Sequence, residues 1–394
     1  MAINKELYER YKAMKAAKLQ EQETQQQKTL VSTQENLGYS HNENNCGTST
    51  LNETTINNIT SPDEYSSSKP QEIPTVPPAV AQEYNKSFSY SGNILNPTNL
   101  TQQTSCTYQN NDLPLKKFAL IGYPLEHSLS EYIHNAGFKS MGLNATYEIM
   151  PTQPEELVER IKYLRSNGYA GFNVTIPLKL PVTMFLDEVD KSANIVNAIN
   201  TVSIDPKTNS MKGYNTDAVG FISAFSSDFA FYGKTAGILG TGGAARAAVT
   251  ALAQKQVKYI KLFTRNIANC MDLLEYLRKT FPNTEFTSHQ IDRITDLSDI
   301  NILVNATPLG MYGATCGYTP VEEPELLTLP PDALVYDIVY NPKKTNFIKL
   351  AQKHNYKTIT GLDMLIYQAL EAEKIWTGHL PDFKDMKIAA LENL

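Results

Sequence analysis

The sequence predicts an α/β protein with two folded units that follow a polar N-terminal segment. From about Leu115 to the end, apolar runs of strand length alternate with segments of helical spacing. The stretch TAGILGTGGAARAAVTAL also joins an apolar run to an Ala-rich segment through a cluster of glycines. Alternating strands and helices imply largely parallel sheets covered by helices on both faces. The chain from 115 to 394, about 280 residues, is long enough for two such units.

Residues 1–112 differ in composition from the rest of the chain. They are rich in Gln, Asn, Ser, Thr and Pro, as in HNENNCGTSTLNETTINNIT. Such a segment has too few large apolar side chains to offset the entropy that is lost on ordering. The sequence therefore predicts a disordered extension, with a short helix possible at 5–22.

The first folded unit begins with three strand-like runs separated by two segments of helical spacing. In order they are KFALIGYP (strand and turn), SEYIHNAGFKSMGL (helix), ATYEIMP (strand), PEELVERIKYLRSNG (helix, ended by Gly168) and YAGFNVTIP (strand). The alternation continues in the second unit through the apolar runs TAGILG, YIKLFTR, INILVNAT and ALVYDIVY. We place the boundary between the two units near 217–221.

The bulk composition argues against several classes of protein. A net charge of -6 and a pI near 5.6 are opposite to the basic surface that nucleic acid binding requires. No run reaches 18 apolar residues, so no membrane span is expected, and the mixed-charge N-terminus does not resemble a secretory signal. The four cysteines show no metal spacing, which predicts a cytoplasmic protein without disulfides or a bound metal.

The glycine cluster favours a dinucleotide site over an ordinary glycine turn. It reads Gly240-Thr241-Gly242-Gly243-Ala244, with Ala245 at the third glycine position of the usual pattern. Glycines there allow a tight turn and a close approach of the backbone to a pyrophosphate, whose charge the helix N-terminus stabilises.

The end of the following strand favours NADP over NAD. An NAD site normally has Asp or Glu at this place, whereas this chain has Thr264, Arg265 and Asn266. A guanidinium pairs well with a 2'-phosphate, although a solvated arginine at a strand end is common. Farther on, VNATPLGM (304–311) lies at the carboxyl edge of the sheet, where it could contact a cofactor or form an ordinary loop.

A lysine within an apolar stretch raises a separate question. Lys179 lies in GFNVTIPLKL, where its ammonium either reaches solvent or serves a cleft. Other polar residues have simple structural interpretations when taken singly. Asp217 could cap a helix, Ser128 and Ser130 could do the same, and Asn200 could end a strand.

Taken together, nine segments resemble the shikimate dehydrogenase family. They are GYPLEHSLS, GFNVTIPLK, NAINTV, GYNTD, LGTGGAAR, FTRN, NATPLGM, YDIVYNPKKTNF and GLDMLIYQAL, in the family's order over residues 115–394. The resemblance implies NADPH-dependent reduction of 3-dehydroshikimate to shikimate. It also implies a substrate-binding α/β domain (113–216), a Rossmann-type NADP-binding domain (217–360) and C-terminal helices that return to the substrate domain (361–394). It does not cover residues 1–112.

The resemblance also implies a role for individual residues. The catalytic pair is Lys179 and Asp217. The residues expected at the substrate are Ser128 and Ser130 for its carboxylate, Thr175, Asn200 and Gln368 for its hydroxyls, and Asn173 and Tyr340 in the pocket lining. The residues expected at the cofactor are the loop Gly240, Thr241, Gly242, Gly243 and Ala244, then Thr264 and Arg265 at the 2'-phosphate, and Thr307, Met311 and Gly361 near the nicotinamide. The chain departs from the family at Glu131, where proline is usual, and in the order Thr264-Arg265-Asn266, where the family has Asn-Arg-Thr.

These residues suggest a mechanism and leave alternatives open. We hypothesise that Lys179 protonates the developing alkoxide and that Asp217 orients the ammonium, with no metal. His127 and His134 are expected to be structural. The alternatives are a quinate or dual quinate/shikimate dehydrogenase, perhaps using NAD, and a catalytically silent regulator that binds NADP or a metabolite. The expected partner is a small molecule, and the expected assembly is a monomer or a homodimer.

Overall fold

A computed structural model of the protein describes residues 114–394. The predicted polar extension and its helix at 5–22 lie outside the described residues. Within the described part, the chain forms two six-stranded sheets and the helices that cover them.

The first sheet is mixed. Its strands are β1 (Lys116–Gly122), β2 (Ala145–Pro151), β3 (Tyr169–Val174), β4 (Glu188–Val189), β5 (Thr201–Ile204) and β6 (Met211–Tyr214). In space they follow the order β2-β1-β3-β5-β6-β4. β1 pairs in parallel with β2 and β3, and β4 does so with β6, whereas β5 runs antiparallel to both of its neighbours.

The hairpin between β5 and β6 explains why this sheet is not wholly parallel. Asp205 Oδ1 accepts hydrogen bonds from the N–H groups of Lys207 (2.9 Å) and Thr208 (2.7 Å), which closes a tight turn. A short connection of this kind can join only antiparallel strands, because a parallel crossover needs a dozen residues or more.

The second sheet is parallel throughout. Its strands are β7 (Thr235–Leu239), β8 (Tyr259–Thr264), β9 (Glu285–Gln290), β10 (Ile302–Asn305), β11 (Leu334–Asp337) and β12 (Lys357–Thr360). They are arranged as β12-β11-β10-β7-β8-β9, and every neighbouring pair is parallel. This is the doubly wound order of a Rossmann-type sheet, in which ligands bind at the carboxyl ends of the first and fourth strands. Here those strands are β7 and β10.

The helices lie between the strands and continue beyond the second sheet. They are α1 (Ser130–Ser140), α2 (Leu157–Ser166), α3 (Lys191–Val196), α4 (Asp217–Ser223), α5 (Gly243–Gln254), α6 (Met271–Thr280), α7 (Glu323–Leu326), α8 (Asn346–Lys353), α9 (Gly361–Thr377) and α10 (Phe383–Glu392). The helix predicted over 154–168 begins with the 3-10 turn Pro154–Glu156, continues as α2, and is followed by Gly168 at a φ of +70°.

The last two helices pack on the first. Leu129 and Ile133 at the start of α1 form one buried apolar cluster with Ile366 of α9 and Met386 of α10. Trp376 Nε1 of α9 also donates a hydrogen bond to the Val202 carbonyl of β5 at 3.0 Å. The C-terminal helices therefore contact the first sheet, and the division of the chain at 217 and 361 stays a proposal.

A buried pair of ionisable side chains connects α1 to α9. His134 Nδ1 lies 2.8 Å from Glu373 Oε1, and the two side chains are 1% and 0% exposed. Burial lowers the pKa of His134 to about 3, with a small opposing contribution from Asn173, and it raises the pKa of Glu373 to about 9. Near neutral pH the pair is therefore uncharged.

We expect this pair to make the fold less stable at alkaline pH. Above pH 4.5 the unfolded chain releases the Glu373 proton that the native state keeps, which lowers the free energy of unfolding as pH rises. Up to pH 6.5 the unfolded chain also binds a proton on His134 that the native ring does not bind, which raises the free energy of unfolding as pH rises. Between pH 4.5 and 6.5 the contributions of His134 and Glu373 therefore cancel. From there to about pH 9 the decrease is about 1.4 kcal/mol per pH unit.

Chemical denaturation at about pH 6.5 and about pH 8.5 measures this decrease. Glu373→Gln has no titrating carboxyl at this position. Between the two pH values its free energy of unfolding should therefore fall by about 2–3 kcal/mol less than that of the wild type. An equal decrease in both proteins would contradict the assigned protonation states.

Candidate active site

The predicted lysine and aspartate meet at the junction between the two sheets. Lys179 lies in the loop after β3, and Asp217 opens α4. Lys179 Nζ donates a hydrogen bond to Asp217 Oδ2, and the two side chains are 13% and 8% exposed. The Lys179 carbonyl accepts a hydrogen bond from the Ile199 N–H at 2.9 Å, which fixes the loop beside β5. The ammonium is thus held in a cleft and not in bulk solvent.

Asn200 holds the aspartate from the other side. Its Nδ2 donates to Asp217 Oδ1 (2.9 Å) and to Thr216 Oγ1 (2.8 Å), and its Oδ1 accepts from the Thr216 N–H (2.8 Å). Gln368 Oε1 of α9 lies 3.4 Å from both Asn200 Nδ2 and Thr216 Oγ1. The structure therefore brings together four of the predicted residues, Lys179, Asp217, Asn200 and Gln368.

Asn173 is close to this group, but its amide is already engaged. Its Nδ2 donates to the Asn200 carbonyl (3.1 Å) and to Thr201 Oγ1 (3.0 Å), while its Oδ1 accepts from the Tyr147 hydroxyl (2.7 Å). Both amide hydrogens are used, so a ligand could reach only the second lone pair of Oδ1. Thr175, two residues on, is half-buried at the end of β3.

The predicted serines lie with Tyr340 at the entrance to α1. Ser128 Oγ accepts a hydrogen bond from the Ser130 N–H at 3.3 Å, which makes a local turn, and Leu129 between them caps α1 without a side-chain bond. Burial raises the pKa of the Tyr340 hydroxyl, and hydrogen bonds with the Ser128 side chain and the Leu129 backbone oppose this shift. Ser130 itself is buried. The hydroxyl groups of Ser128, Ser130 and Tyr340 therefore lie near one another at the start of α1.

The glycine loop has the shape of an anion cradle. Gly240 has a φ of +108°, and a Cβ there would lie 3.1 Å from the Ala306 carbonyl oxygen after β10. Gly242 precedes α5, has open space around its Cα, and gives the helix no side-chain cap. The first N–H groups of α5 are thus available to a phosphate, with the half-buried Thr241 and Ala244 on either side. These features fit the pyrophosphate of a dinucleotide.

Gly243 brings this cradle to the lysine. A Cβ on Gly243 would lie 2.9 Å from Lys179 Cδ and 3.3 Å from Lys179 Cβ. The lysine stem therefore packs directly on the first residue of α5. This contact joins the proton-donor candidate to the candidate dinucleotide site.

The residues predicted at the 2'-phosphate lie at the carboxyl end of β8. Thr264 is buried, and its Oγ1 accepts the Asn266 N–H at 3.3 Å, so the hydroxyl shapes the turn. Arg265 is exposed and makes no ion pair with another side chain of residues 114–394. The Gly240 N–H donates to the Phe263 carbonyl at 2.8 Å, which places this strand end beside the glycine loop.

The residues predicted near the nicotinamide are less closely grouped. Thr307 Oγ1 donates to Asn305 Oδ1 at 2.7 Å, and Met311 is 39% exposed in the loop that follows. Gly361 opens α9 against the backbone after β11, where a Cβ would lie 2.0 Å from the Ile338 carbonyl oxygen. Close packing explains this glycine, and its place at the cofactor stays a prediction.

Sequence reasoning missed several residues of the site. Thr216 lies within GYNTD and could have been found there, whereas Tyr147 looks like any aromatic residue of a strand. Asp337 was also missed, although an acid that ends an apolar strand is a signal. It accepts hydrogen bonds from Asn305 Nδ2 (2.9 Å) and Thr345 Oγ1 (2.5 Å), and burial raises its pKa to about 6. Asp337 thereby fixes the loop that carries Thr307.

Two further observations concern residues 114–394 only. In this range no three His, Cys, Asp or Glu side chains are grouped so that they could hold a metal ion. None of the helices there has the length and apolar character needed to cross a membrane.

Two family models match parts of the chain. The model described as the shikimate dehydrogenase substrate binding domain matches residues 120–202. The model described as the shikimate 5'-dehydrogenase C-terminal domain matches residues 361–391.

Curated and structurally characterised proteins match over most of the folded region. The shikimate dehydrogenase (NADP(+)) of Methanocaldococcus jannaschii is 39% identical over 283 residues, which are 71% of this chain and 97% of that protein. The shikimate 5-dehydrogenase of Thermus thermophilus in complex with NADP(H) and shikimate is 31% identical, with a TM-score of 0.61 over 71% of this chain and 100% of that one. The quinate dehydrogenase of Corynebacterium glutamicum in complex with NAD is 28% identical, with a TM-score of 0.64 and the same coverage of both chains.

Proposed function

The chain belongs to the shikimate dehydrogenase family, and we propose from this premise that it catalyses the reversible NADPH-dependent reduction of 3-dehydroshikimate to shikimate. The observation that carries the proposal is the buried contact of Lys179 with both Asp217 and Gly243. It joins a proton donor, a carboxylate and the dinucleotide cradle within one cleft. A non-catalytic binding protein has no need of such a donor.

Lys179, Asp217 and Asn200 have different roles in proton transfer. NADPH, when bound, supplies the hydride to the ketone carbon. The Lys179 ammonium donates a proton to the oxygen on which negative charge develops, and the neutral amine then regains a proton from solvent. Asp217 holds Lys179 in place, and Asn200 holds Asp217, so the donor does not have to reorient during the reaction.

The remaining polar residues hold the substrate. Ser128, Ser130 and Tyr340 supply hydroxyl groups to the carboxylate at one end of the pocket. Thr175 and Gln368 face the ring hydroxyls. The Asn200 side chain is already engaged by Thr216, Asp217 and Thr201, so it holds Asp217 beside the substrate, and Asn173 keeps it in register. Hydroxyl groups suit a carboxylate that must also be released, because they bind it without a fixed counter-charge.

A spectrophotometric assay tests the function. NADPH absorbance should fall when 3-dehydroshikimate is added to the purified full-length protein, and shikimate with NADP+ should reverse the change. No absorbance change in either direction would contradict the proposed reaction and favour a silent binding protein.

The quinate alternative is tested in the same assay. Initial rates with shikimate and quinate, each with NADP+ and NAD+, should be highest for shikimate with NADP+. A higher rate with quinate and NAD+ would instead group the chain functionally with the quinate dehydrogenase that it resembles in fold.

Arg265 is expected to set the preference for NADPH. We expect Arg265→Ala to raise the KM for NADPH by about 10- to 100-fold, because a charge-assisted hydrogen bond contributes about 1.5–3 kcal/mol. The KM for NADH should not change, since that cofactor lacks the phosphate, and it serves as the internal control. A parallel rise of both KM values would remove Arg265 from phosphate recognition.

Gly243 is expected to protect the position of the lysine. Gly243→Ala places a Cβ against Lys179 Cδ, so the lysine stem has to move away from its present contact with α5. We expect kcat to fall by about 10- to 100-fold, because small displacements of a reacting group have effects of this size. Gly317→Ala is the matched control, since Gly317 is exposed and an added Cβ meets no atom within 4 Å. An unchanged kcat in Gly243→Ala would contradict the proposed contact.

Other features of the protein stay proposals. We propose a cytoplasmic enzyme that acts as a monomer or homodimer, with the substrate domain at 113–216, the NADP-binding domain at 217–360 and the returning helices at 361–394. Activity of a chain that begins near Asn111, compared with the full-length chain, tests whether residues 1–112 contribute to turnover.

A further inference from the structure

The His134–Glu373 pair has hydrogen-bonding capacity that the fold does not use. Glu373 Oε2 is buried and has no hydrogen-bond partner among the described residues. Gly137 of α1 provides the room for the carboxyl group, because a Cβ there would lie 2.5 Å from both Glu373 oxygens. The pair is therefore enclosed between α1 and α9, where unpaired polar groups are costly and call for a reason.

The protonation state of the pair defines the direction of its hydrogen bond. With pKa values of about 9 for Glu373 and about 3 for His134, the carboxyl keeps its proton and the imidazole is neutral. The carboxylic acid then donates to His134 Nδ1, and the ring carries its own hydrogen on Nε2. This arrangement fixes both the tautomer and the orientation of the ring.

The oriented imidazole contacts Tyr147, which is hydrogen-bonded to the residues of the site. Its ring stacks on Tyr147 with centroids 4.1 Å apart and an interplanar angle of 14°. The Tyr147 hydroxyl donates to Asn173 Oδ1 (2.7 Å), and Asn173 Nδ2 donates to the Asn200 carbonyl (3.1 Å). Asn200 in turn holds Asp217. A continuous series of contacts thus leads from the buried pair to the catalytic aspartate.

We propose that Glu373 and His134 are positioning residues, which act as a neutral hydrogen-bonded unit to orient Tyr147 and, through it, Asn173 and Asn200. This inference rests on the proposed function, because its consequence is the binding of an anionic substrate. Glu373 and Tyr340 are both close enough to Tyr147 to act electrostatically on its hydroxyl. An ionised Glu373 would therefore place negative charge near the Tyr147 hydroxyl, which donates to Asn173, whereas the protonated acid places none.

Two substitutions of Glu373 separate hydrogen bonding from mere bulk. Glu373→Gln keeps a donor for His134 Nδ1, and we expect its kcat/KM for 3-dehydroshikimate to stay within about 3-fold of wild type. Glu373→Leu keeps the volume but removes the donor, and we expect kcat/KM to fall by about 10-fold or more, mainly through the KM for 3-dehydroshikimate. The KM for NADPH should not change in either variant, because the pair contacts the first sheet.

A double-mutant cycle tests whether Glu373 acts through Tyr147. Tyr147→Phe removes the hydrogen bond to Asn173 and should lower kcat/KM by about 10-fold. In the double variant Glu373→Leu/Tyr147→Phe, kcat/KM should fall by about the same factor as in the more severely affected single variant. It should not fall by the product of the two single factors. Additive losses would overturn the proposal, as would an unchanged kcat/KM in Tyr147→Phe.

The controls distinguish this proposal from the reaction itself and from loss of the fold. Glu371→Leu changes a solvent-side residue of the same helix, which pairs with Lys374 at 3.3 Å, and it should leave kcat/KM unchanged. Wild-type turnover in the same assay establishes the reaction, so that unaffected variants overturn only the positioning role. If circular dichroism shows that Glu373→Leu does not fold, Glu373→Gln and Tyr147→Phe decide the matter. Retained activity in the first with loss in the second supports the proposal, and any other pattern overturns it.

Discussion

Lys179→Ala should lower kcat by about 10²–10⁴-fold while leaving NADP affinity nearly unchanged. The substitution removes the ammonium that pairs with Asp217, and the hydride step then leaves charge on oxygen without a positioned proton donor. The substitution also removes the contact of the lysine stem with Gly243, but it changes no residue of the glycine loop or of the strand end at Arg265, so cofactor binding should persist. Initial rates give kcat, and fluorescence titration gives the dissociation constant for NADP.

Two further measurements make the test of Lys179 specific. Lys212→Ala removes a partly exposed lysine of β6, whose Nζ lies 3.5 Å from Glu188 Oε2, and should leave kcat within about 2-fold. Added methylammonium should partly restore turnover in Lys179→Ala, because it can fill the space that the side chain leaves with a proton donor. A kcat near that of the wild type in Lys179→Ala would remove this residue from the chemistry.

Asp217→Asn should reduce both turnover and stability. The variant leaves the Lys179 ammonium in a cleft where it is 13% exposed and has no counter-charge. Breaking a buried ion pair on one side costs about 3–5 kcal/mol, and we expect a value near the lower end because the lysine is not fully buried. We expect kcat to fall by about 100-fold, because the proton donor loses the carboxylate that orients it. Chemical denaturation and initial rates measure the two effects.

A double variant separates the two effects of Asp217→Asn. Lys179→Met combined with Asp217→Asn contains neither charge, so it should recover most of the lost stability and none of the lost activity. Glu188→Gln provides the surface comparison, since its carboxylate is 66% exposed and should contribute less than about 1 kcal/mol. If the double variant were as unstable as Asp217→Asn, an unpaired charge would not be the cause.

Much of the candidate site could be predicted from local sequence. The glycine loop is recognisable from the sequence because its backbone conformation requires glycine at particular positions. Gly240, with a φ of +108°, is one example. The parallel pairing of the strands in the second sheet follows from the alternation of apolar runs and helices, whereas the order of the strands is read from the structure. Here the sequence pattern predicts Rossmann-type topology, and the structure and the family confirm it.

Other features were beyond the reach of sequence patterns. β5 runs antiparallel because a tight turn at Asp205 connects it directly to β6. The alternation of strands and helices along the chain indicates parallel pairing and does not reveal this exception. The amide of Asn173 is occupied by Tyr147, Asn200 and Thr201, so the residue has less capacity for substrate than its position in the motif suggests. Nothing in the strand ATYEIMP marks Tyr147 as the partner of a residue 26 positions away.

The sequence by itself determined the elements, their order along the chain and the glycine cradle, because these depend on local periodicity and backbone requirements. The role of Lys179 as proton donor is implied by the family resemblance and stays a prediction. Only the tertiary structure decided that Lys179 packs on Gly243, that Asn200 holds Asp217, and that His134 and Glu373 form a buried pair between α1 and α9. Such contacts depend on how α4, α5 and α9 pack around the sheets. This packing determines how far each side chain is removed from water. Burial in turn decides the protonation state and the partners of the side chain, so both are properties of the folded molecule.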